Sequence, residues 1–236
     1  MKVIFFTLLL IVSIPATAKR ADWEKLSYKD FEKVVEAPPQ EGSQAYIKDF
    51  EILIQLQEQR TNEECRFARY LKWPNFATFF SKDKKDWIDE SQLPVSFQSL
   101  LNTKEVEHYK GLMNKVLNLS TRVTKYYKEH YARPRPSDAD DRVHPCVEVP
   151  EGNTSYPSSH TSKGIVVACL LSEKLKEQKE YKRAEDIMNY GIYMGDLRAI
   201  VGVHHPSDVE SGKVIGLEIC HRLLEEKSFR EEWDRL

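Results

Sequence analysis

The longest regular pattern in this 236-residue sequence is an amphipathic run over residues 103–129. Apolar side chains recur there every three or four residues, the spacing that places them on one face of an α-helix. They are Val106, Tyr109, Leu112, Met113, Val116, Leu119 and Val123. The alternating pattern that is typical of strands is nearly absent from the chain. The sequence therefore predicts an all-α protein.

Shorter patterns of the same period predict further helices along the chain. They cover residues 44–59, 62–71, 94–101, 162–179, 181–203 and 207–225. A chain of this length forms one domain, and its hydrophobic fraction of 41% is enough for a core. We expect a single-domain helical bundle over residues 43–236. An N-terminal arm, residues 19–42, precedes it with one short helix over residues 27–36.

The N-terminal 18 residues have the pattern of a signal peptide. Lys2 is followed by an apolar run over residues 3–14 and then by Ala16-Thr17-Ala18, a typical cleavage site. We expect cleavage after Ala18 and a periplasmic or secreted mature protein. No second long apolar run occurs, so the sequence predicts no membrane span in the mature chain. The net charge of −2 argues against binding to nucleic acid.

Export would expose the chain to an oxidising compartment, and its four cysteines form an even number. Cys65, Cys146, Cys169 and Cys220 allow three full pairings, among which the sequence does not choose. Cys169 and Cys220 fall on helices predicted to face the core, so buried free thiols are the alternative for these two.

Cationic, imidazole and hydroxyl groups recur in three short blocks between residues 128 and 208. The blocks contain Lys128 and Arg135, then Ser158, Ser159 and His160, then Arg198, His204 and Asp208. Lys and Arg neutralise the oxygens of a phosphate ester, one histidine can attack phosphorus, and a second can supply a proton. A carboxylate can orient the attacking imidazole. The inventory predicts a site that binds and cleaves phosphate esters.

The spacing within each block supports this interpretation. Lys128 and Arg135 are seven residues apart, so on a continuous helix they would share a face. Ser158 or Ser159 could cap the next helix, whose free N–H groups would then point at an anion. Asp208 follows His204 by four residues, about one helical turn.

The three blocks resemble the signature of the acid phosphatase/vanadium haloperoxidase superfamily, which reads K-x6-R-P, P-S-G-H and S-R-x5-H-x3-D. In particular, Lys128-Glu-His-Tyr, Ser155-Tyr-Pro-Ser-Ser-His-Thr and Gly202-Val-His-His-Pro-Ser-Asp are similar to stretches of class A bacterial non-specific acid phosphatases. The resemblance covers about residues 43–225. It implies an all-α fold, a phosphohistidine formed on His204, a leaving group protonated by His160, and neither a metal ion nor a cofactor.

Two positions depart from that signature, and two others duplicate parts of it. Ser159 stands where the family has glycine, and Leu197 where it has serine, so rate and substrate preference are open. Arg133-Pro134 duplicates Arg135-Pro136, but no lysine lies seven residues before Arg133. His205 neighbours His204 at an offset that fits no block, and we interpret it as a structural or rim residue.

The function that these patterns favour is an exported, metal-independent acid phosphatase acting on small phosphate monoesters. One alternative is a vanadate-dependent haloperoxidase, and another is a non-catalytic protein that binds phosphate or a phosphorylated lipid headgroup. Lipid headgroups also stay among the candidate substrates, and the amphipathic arm could serve a homodimer contact. The acidic residues Asp138, Asp140 and Asp141 favour a solvated loop over a metal site.

Overall fold

The structure, a computed structural model, describes residues 21–72, 74–82, 88–149 and 154–236. Nine α-helices form this part of the chain, and it contains no strand, only an isolated bridge between Ser81 and Leu101. The helices are α1 (Gln44–Gln59), α2 (Asn62–Tyr70), α3 (Phe76–Phe80), α4 (Thr103–Tyr131), α5 (Pro136–Ala139), α6 (Ser159–Glu177), α7 (Tyr181–Ile200), α8 (Pro206–Glu225) and α9 (Lys227–Trp233). The all-α prediction is confirmed.

Helix α6 lies at the centre of the bundle, where it packs against α4, α7 and α8. Of its 19 residues, 13 are buried, as expected of a helix that is apolar on most of its faces. Glycines allow the neighbouring helices to come close. A β-carbon added at Gly191 of α7 would lie 2.4 Å from the β-carbon of Ala168, and one at Gly212 of α8 would lie 2.7 Å from the carbonyl oxygen of Ser158. Both contacts require glycine.

The helix termini follow local sequence signals. Thr61 caps α2, and the side chain of Glu64 accepts from the backbone N–H of Thr61, the predicted capping box. Helix α4 ends at Tyr131, where Ala132 adopts a left-handed conformation with φ of 46°. The helix predicted over residues 94–101 does not form. This segment contains bends and turns after a short 3₁₀ turn, Glu90–Gln92.

The N-terminal arm is part of the packed core. It contains two 3₁₀ turns, Asp22–Lys25 and Tyr28–Phe31, instead of the helix predicted over residues 27–36. Trp23 and Phe31 are buried, and the ring of Trp23 meets that of Phe229 in α9 edge to face. The apolar residues on which the homodimer prediction rested therefore pack against their own chain. The predicted signal peptide, residues 1–18, lies outside the described residues.

Two disulfide bonds join distant parts of the described chain. Cys65 in α2 pairs with Cys146, and Cys169 in α6 pairs with Cys220 in α8. The alternative of buried free thiols at Cys169 and Cys220 is therefore wrong. The second bridge ties the central helix to its neighbour, and both bridges are typical of proteins from oxidising compartments. None of the helices in the described part of the chain combines the length and apolar character needed to cross a bilayer.

Candidate active site

A cavity of about 300 Å³ opens between α4, α6 and the segments that precede α5 and α8. Six of the eight predicted site residues line it: Lys128, Arg135, Ser159, His160, Arg198 and His204. Four further residues complete the wall: Pro74, Thr121, Lys125 and Lys163. Among these ten residues five are cations and none is acidic. The cavity is therefore an electropositive pocket suited to a multiply charged anion.

Lys128 and Arg135 reach the cavity by a route that differs from the predicted one. A continuous helix was expected to carry both, but α4 ends at Tyr131, and Arg135 is the residue that precedes α5. Pro136 begins α5, a position that suits proline because the first N–H groups of a helix have no partner within the helix. The left-handed Ala132 redirects the chain between them. The structure brings Lys128 and Arg135 to the same cavity, as predicted, but not on one shared helical face.

His204 sits at the base of the cavity, between a carboxylate and a guanidinium. Its Nδ1 lies 3.3 Å from Oδ2 of Asp208, and its Nε2 lies 2.8 Å from Nη1 of Arg135. Arg135 can only donate, so Nε2 is the acceptor and Nδ1 carries the proton toward Asp208. Both His204 and Asp208 are buried. The Nε2 lone pair therefore points at the guanidinium of Arg135, on the wall of the cation-lined cavity.

Burial and the surrounding cations hold His204 in its neutral form. Loss of hydration lowers the pKa of His204 well below its usual value, and Arg135, Lys128 and Arg198 lower it further. A neutral imidazole is nucleophilic, whereas an imidazolium has no free lone pair. The site therefore presents a neutral histidine, protonated on Nδ1 alone, without needing a base to activate it.

His160 lines the same cavity from the first turn of α6. Its Nε2 is buried and has no hydrogen-bond partner in the described part of the chain. Burial lowers the pKa of His160 well below its usual value, and the nearby charges of Arg198 and Lys163 add to this effect. A bound phosphate dianion would raise the same pKa, because it would offset those positive charges. His160 thus has the placement of a proton donor that charges when ligand arrives.

Two cations of the cavity are held without a balancing carboxylate at their side chains. Arg198 is buried, and its Nε and Nη1 have no partner within the described residues. Lys128 donates only to main-chain carbonyls, among them that of Ser155 at 3.0 Å. Burial lowers the pKa of Arg198 to about 10 and that of Lys128 to about 7. Donors buried at such a cost are typical of anion-binding sites.

The two adjacent serines play different parts. Ser158 caps α6, and its side-chain oxygen accepts hydrogen bonds from the backbone N–H and the hydroxyl of Thr161. It is fully buried and is not among the residues that line the cavity, so phosphate binding by its side chain stays a prediction. Ser159 does line the cavity, and its hydroxyl donates to Oγ1 of Thr124 at 2.7 Å. Leu197, the other departure, is buried in the core.

A layer of paired charges beneath the cavity escaped the sequence analysis. Arg133 donates from Nη1 to Asp208 at 2.7 Å and from Nη2 to Asp49 of α1 at 2.8 Å, and all three residues are buried. Asp49 also accepts from the backbone N–H of Ser207. The available signal was an acidic residue at a core-facing position of α1, four residues before Leu53. We name this trio, Asp49, Arg133 and Asp208, the support triad.

His205 belongs to the same layer, as its predicted structural role requires. It is buried, and its ring meets that of Phe50 edge to face. Its Nε2 contacts the carbonyl of Pro134 at 3.4 Å.

Lys163 is a cavity residue that the sequence analysis missed. It follows His160 by three residues on α6, the spacing that places two side chains on one helical face.

Comparison with known proteins agrees with this geometry. A family model described as the PAP2 superfamily matches residues 112–225. A non-specific acid phosphatase of Salmonella typhimurium is 37% identical over 79 residues, which are 34% of this chain and 30% of that protein. One from Salmonella typhi is 28% identical over 162 residues, 66% of this chain and 57% of that protein. One from Providencia stuartii is 30% identical over 130 residues, 53% of this chain and 50% of that protein. The matches thus span between 30% and 57% of these relatives.

Proposed function

We propose that this chain, which belongs to the PAP2 superfamily, hydrolyses phosphate monoesters through a covalent intermediate on His204. One observation carries the proposal. A neutral imidazole lines a cavity that has five cations and no carboxylate in its wall. The similarity to non-specific acid phosphatases supports the same reaction class. Because protein cations supply the positive charge, the proposed reaction needs neither a metal ion nor a cofactor.

In the first step, Lys128, Arg135 and Arg198 bind the non-bridging oxygens of the phosphoryl group. The Nε2 atom of His204 attacks phosphorus, and the bond from phosphorus to the leaving oxygen breaks. His160 gives its proton to that oxygen, so the product leaves as a neutral alcohol. Asp208 stabilises the positive charge that develops on the His204 ring, as carboxylates do in other catalytic triads.

In the second step, water replaces the alcohol and attacks the phosphohistidine. His160, now neutral, accepts a proton from this water, and inorganic phosphate leaves as the His204 ring becomes neutral again. The cations hold the three phosphoryl oxygens in both steps, so charge stabilisation and positioning supply most of the rate enhancement. Ser159 contributes through its place at the N-terminus of α6, where backbone N–H groups face the cavity.

We also propose that the protein is exported to the periplasm or secreted, with residues 1–18 removed after Ala18. The two disulfide bonds support this location, since such bonds persist in oxidising compartments. The mature protein would then start with the arm, residues 19–42, and continue into the helical domain, residues 43–236.

The test is hydrolysis of p-nitrophenyl phosphate by the purified protein in excess EDTA, from about pH 4 to 8, where histidines titrate. We expect activity that survives chelation and falls by about 10⁴-fold or more in His204→Ala, because the nucleophile is lost. His130→Ala, a change to an exposed histidine at the end of α4, is the matched control. Trapping the phosphoenzyme with ³²P-labelled substrate would identify the modified residue.

Two results would overturn the proposal. Activity that vanishes in EDTA and returns with a divalent metal would replace the cation-only mechanism by a metal-dependent one. Absence of hydrolysis at every pH, with vanadate still bound, would favour the haloperoxidase or a phosphate-binding protein over a phosphatase.

A further inference from the structure

Lys163 is a cation of the cavity that the proposed chemistry does not use. It lies on α6 within the wall formed by His160 and Arg198. The side chain is only partly accessible to solvent, and burial lowers its pKa. No hydrogen bond or ion pair engages its ammonium group in the described part of the chain. A half-buried ammonium without a carboxylate beside it is costly unless a ligand supplies the missing negative charge.

Lys163 lies on the same side of the cavity as His160, the proposed proton donor. It follows His160 by three residues on one helical face, and its charge acts on the His160 ring. Arg198 acts on both imidazole rings, whereas Arg135 and Lys128 act on His204 and Lys163 acts on His160. In an in-line displacement the nucleophile and the leaving group occupy opposite ends of the phosphoryl group. Because His160 is the proposed proton donor to the leaving oxygen, Lys163 lies on the side of the leaving group.

The phosphoryl group itself does not need this lysine. Three cations, Lys128, Arg135 and Arg198, already match its three non-bridging oxygens. Lys125 also lines the cavity, but it is exposed at the rim, and its ammonium lies 3.7 Å from the carboxylate of Glu129. The surplus positive charge inside the cavity is thus concentrated at Lys163, beside the oxygen that leaves.

We propose that Lys163 selects phosphate esters whose leaving group carries its own negative charge, a carboxylate or a second phosphate, close to the scissile oxygen. This inference rests on the function proposed above and names its substrate class. During transfer the phosphorus–oxygen bond breaks, the phosphoryl group moves to Nε2 of His204, and the proton of His160 goes to the leaving oxygen. The second anion stays on the departing product, facing the ammonium of Lys163.

The test compares two esters that differ mainly in one charge, 3-phosphoglycerate and glycerol 3-phosphate, with inorganic pyrophosphate as the phosphate-bearing member. For each protein we measure the ratio of kcat/KM between the charged and the uncharged leaving group. Because both rates come from one preparation, the ratio does not depend on the fraction that is folded. We expect the wild-type ratio to exceed one. In Lys163→Gln it should fall about tenfold, the scale of one charge-assisted hydrogen bond.

Two further variants sharpen the result. Lys163→Arg keeps the charge and should hold the ratio within about threefold of the wild type. Lys125→Gln removes a charge from the rim of the same cavity and should change the ratio by less than about twofold, since exposed charges are screened. A loss with 3-phosphoglycerate but not pyrophosphate would identify the second anion as a carboxylate, and the reverse would identify it as a phosphate.

The inference fails if the ratio is unchanged in Lys163→Gln, or if Lys125→Gln lowers it equally. The first result would leave phosphatase activity standing without this selectivity, and the second would reduce the effect to the general field of the cavity. If the wild type hydrolyses p-nitrophenyl phosphate but neither anionic ester, the substrate class is wrong while the proposed function holds. If no phosphate ester is hydrolysed, both proposals fail together.

Discussion

The cavity and the support triad beneath it use the same residue type in opposite ways. Arg198 and Arg133 are equally buried, at 6% exposure each. Arg133 is neutralised by two carboxylates, whereas the buried Nε and Nη1 of Arg198 meet no partner in the described part of the chain. The paired arginine can hold elements together, and the unpaired one is available for a ligand. The partners of a buried cation, more than its identity, decide its role.

The largest effect should follow from replacing the unpaired cation. In Arg198→Met we expect kcat/KM for p-nitrophenyl phosphate to fall by about 10³-fold or more, because a charge aimed at the phosphoryl oxygens is lost. The free energy of unfolding should stay unchanged or rise, since the variant no longer buries an uncompensated charge. Steady-state kinetics and urea denaturation measure the two quantities. A large loss of stability would show that Arg198 is a structural residue.

The same substitution in the support triad should reverse this pattern. Arg133→Met leaves Asp49 and Asp208 buried without their shared partner, and we expect a loss of about 3–5 kcal/mol in the free energy of unfolding. The measurement is the midpoint of urea denaturation at neutral pH. Asp49→Asn should recover part of the loss when combined with Arg133→Met, because it removes one of the two stranded charges. Additive effects of the two changes would argue against a coupled triad.

The cost of unneutralised charge should also appear in the pH dependence of stability. The pKa of Lys128 falls to about 7 on folding, from about 10.4 in an unfolded chain, so the unfolded state binds more protons between these values. Stability should therefore rise with pH from about 7 to 10, by at most about 1.4 kcal/mol per pH unit for one proton. The penalty is fully present below pH 7. Thermal denaturation across this window measures it.

Lys128→Met provides the control for that slope. In this variant the contribution of Lys128 disappears, and the dependence of stability on pH between 7 and 10 should flatten. Saturating inorganic phosphate should flatten the wild-type slope as well, since a bound anion restores the pKa of Lys128 toward its usual range. Equal slopes in wild type and variant would contradict the depressed pKa.

The smallest effect should come from a cavity group whose hydrogen bond is already made. The hydroxyl of Ser159 donates to Thr124, so Ser159→Ala removes a supporting contact and no donor directed at phosphate. We expect kcat/KM to fall by less than about tenfold, the scale of a single neutral hydrogen bond. Ser159→Gly adds backbone freedom at the start of α6, so it should lower the free energy of unfolding more than Ser159→Ala does. A drop of 10³-fold in Ser159→Ala would place its hydroxyl on the phosphoryl group.

Periodicity and capping predicted most of the fold. The apolar faces of α4, α6, α7 and α8 and the capping box at Thr61 are local properties, and the helices formed as they indicate. The failures came where tertiary contacts override local preference. Residues 94–101 contain apolar side chains at helical spacing, yet they form turns against the core. The arm packs Trp23 against Phe229, more than 200 positions away in the sequence, which no local pattern could predict.

The predictions about the site divide in the same way, between local spacing and contacts that are distant in the sequence. Block spacing identified six residues that share one cavity, but it did not show that the oxygen of Ser158 caps α6 by accepting two hydrogen bonds from Thr161. Arg133 was not predicted as a site residue because no lysine lies seven residues before it. Two buried arginines, Arg133 and Arg135, nevertheless need two separate sets of hydrogen-bond partners. Its partner Asp49 lies in α1, 84 residues upstream. Pairing across such a distance depends on the folded topology, which a motif does not contain.

The glycines that let α6 pack closely against its neighbours limit which positions of this protein can be changed in a redesign. Any side chain at Gly191 or Gly212 would collide with Ala168 or with the backbone at Ser158, and the shift would move His160 with it. Libraries that vary these two positions would therefore return mostly inactive clones. Lys163, Lys125 and Thr121 on the cavity wall lie outside these two glycine contacts, and a new side chain there would face the substrate.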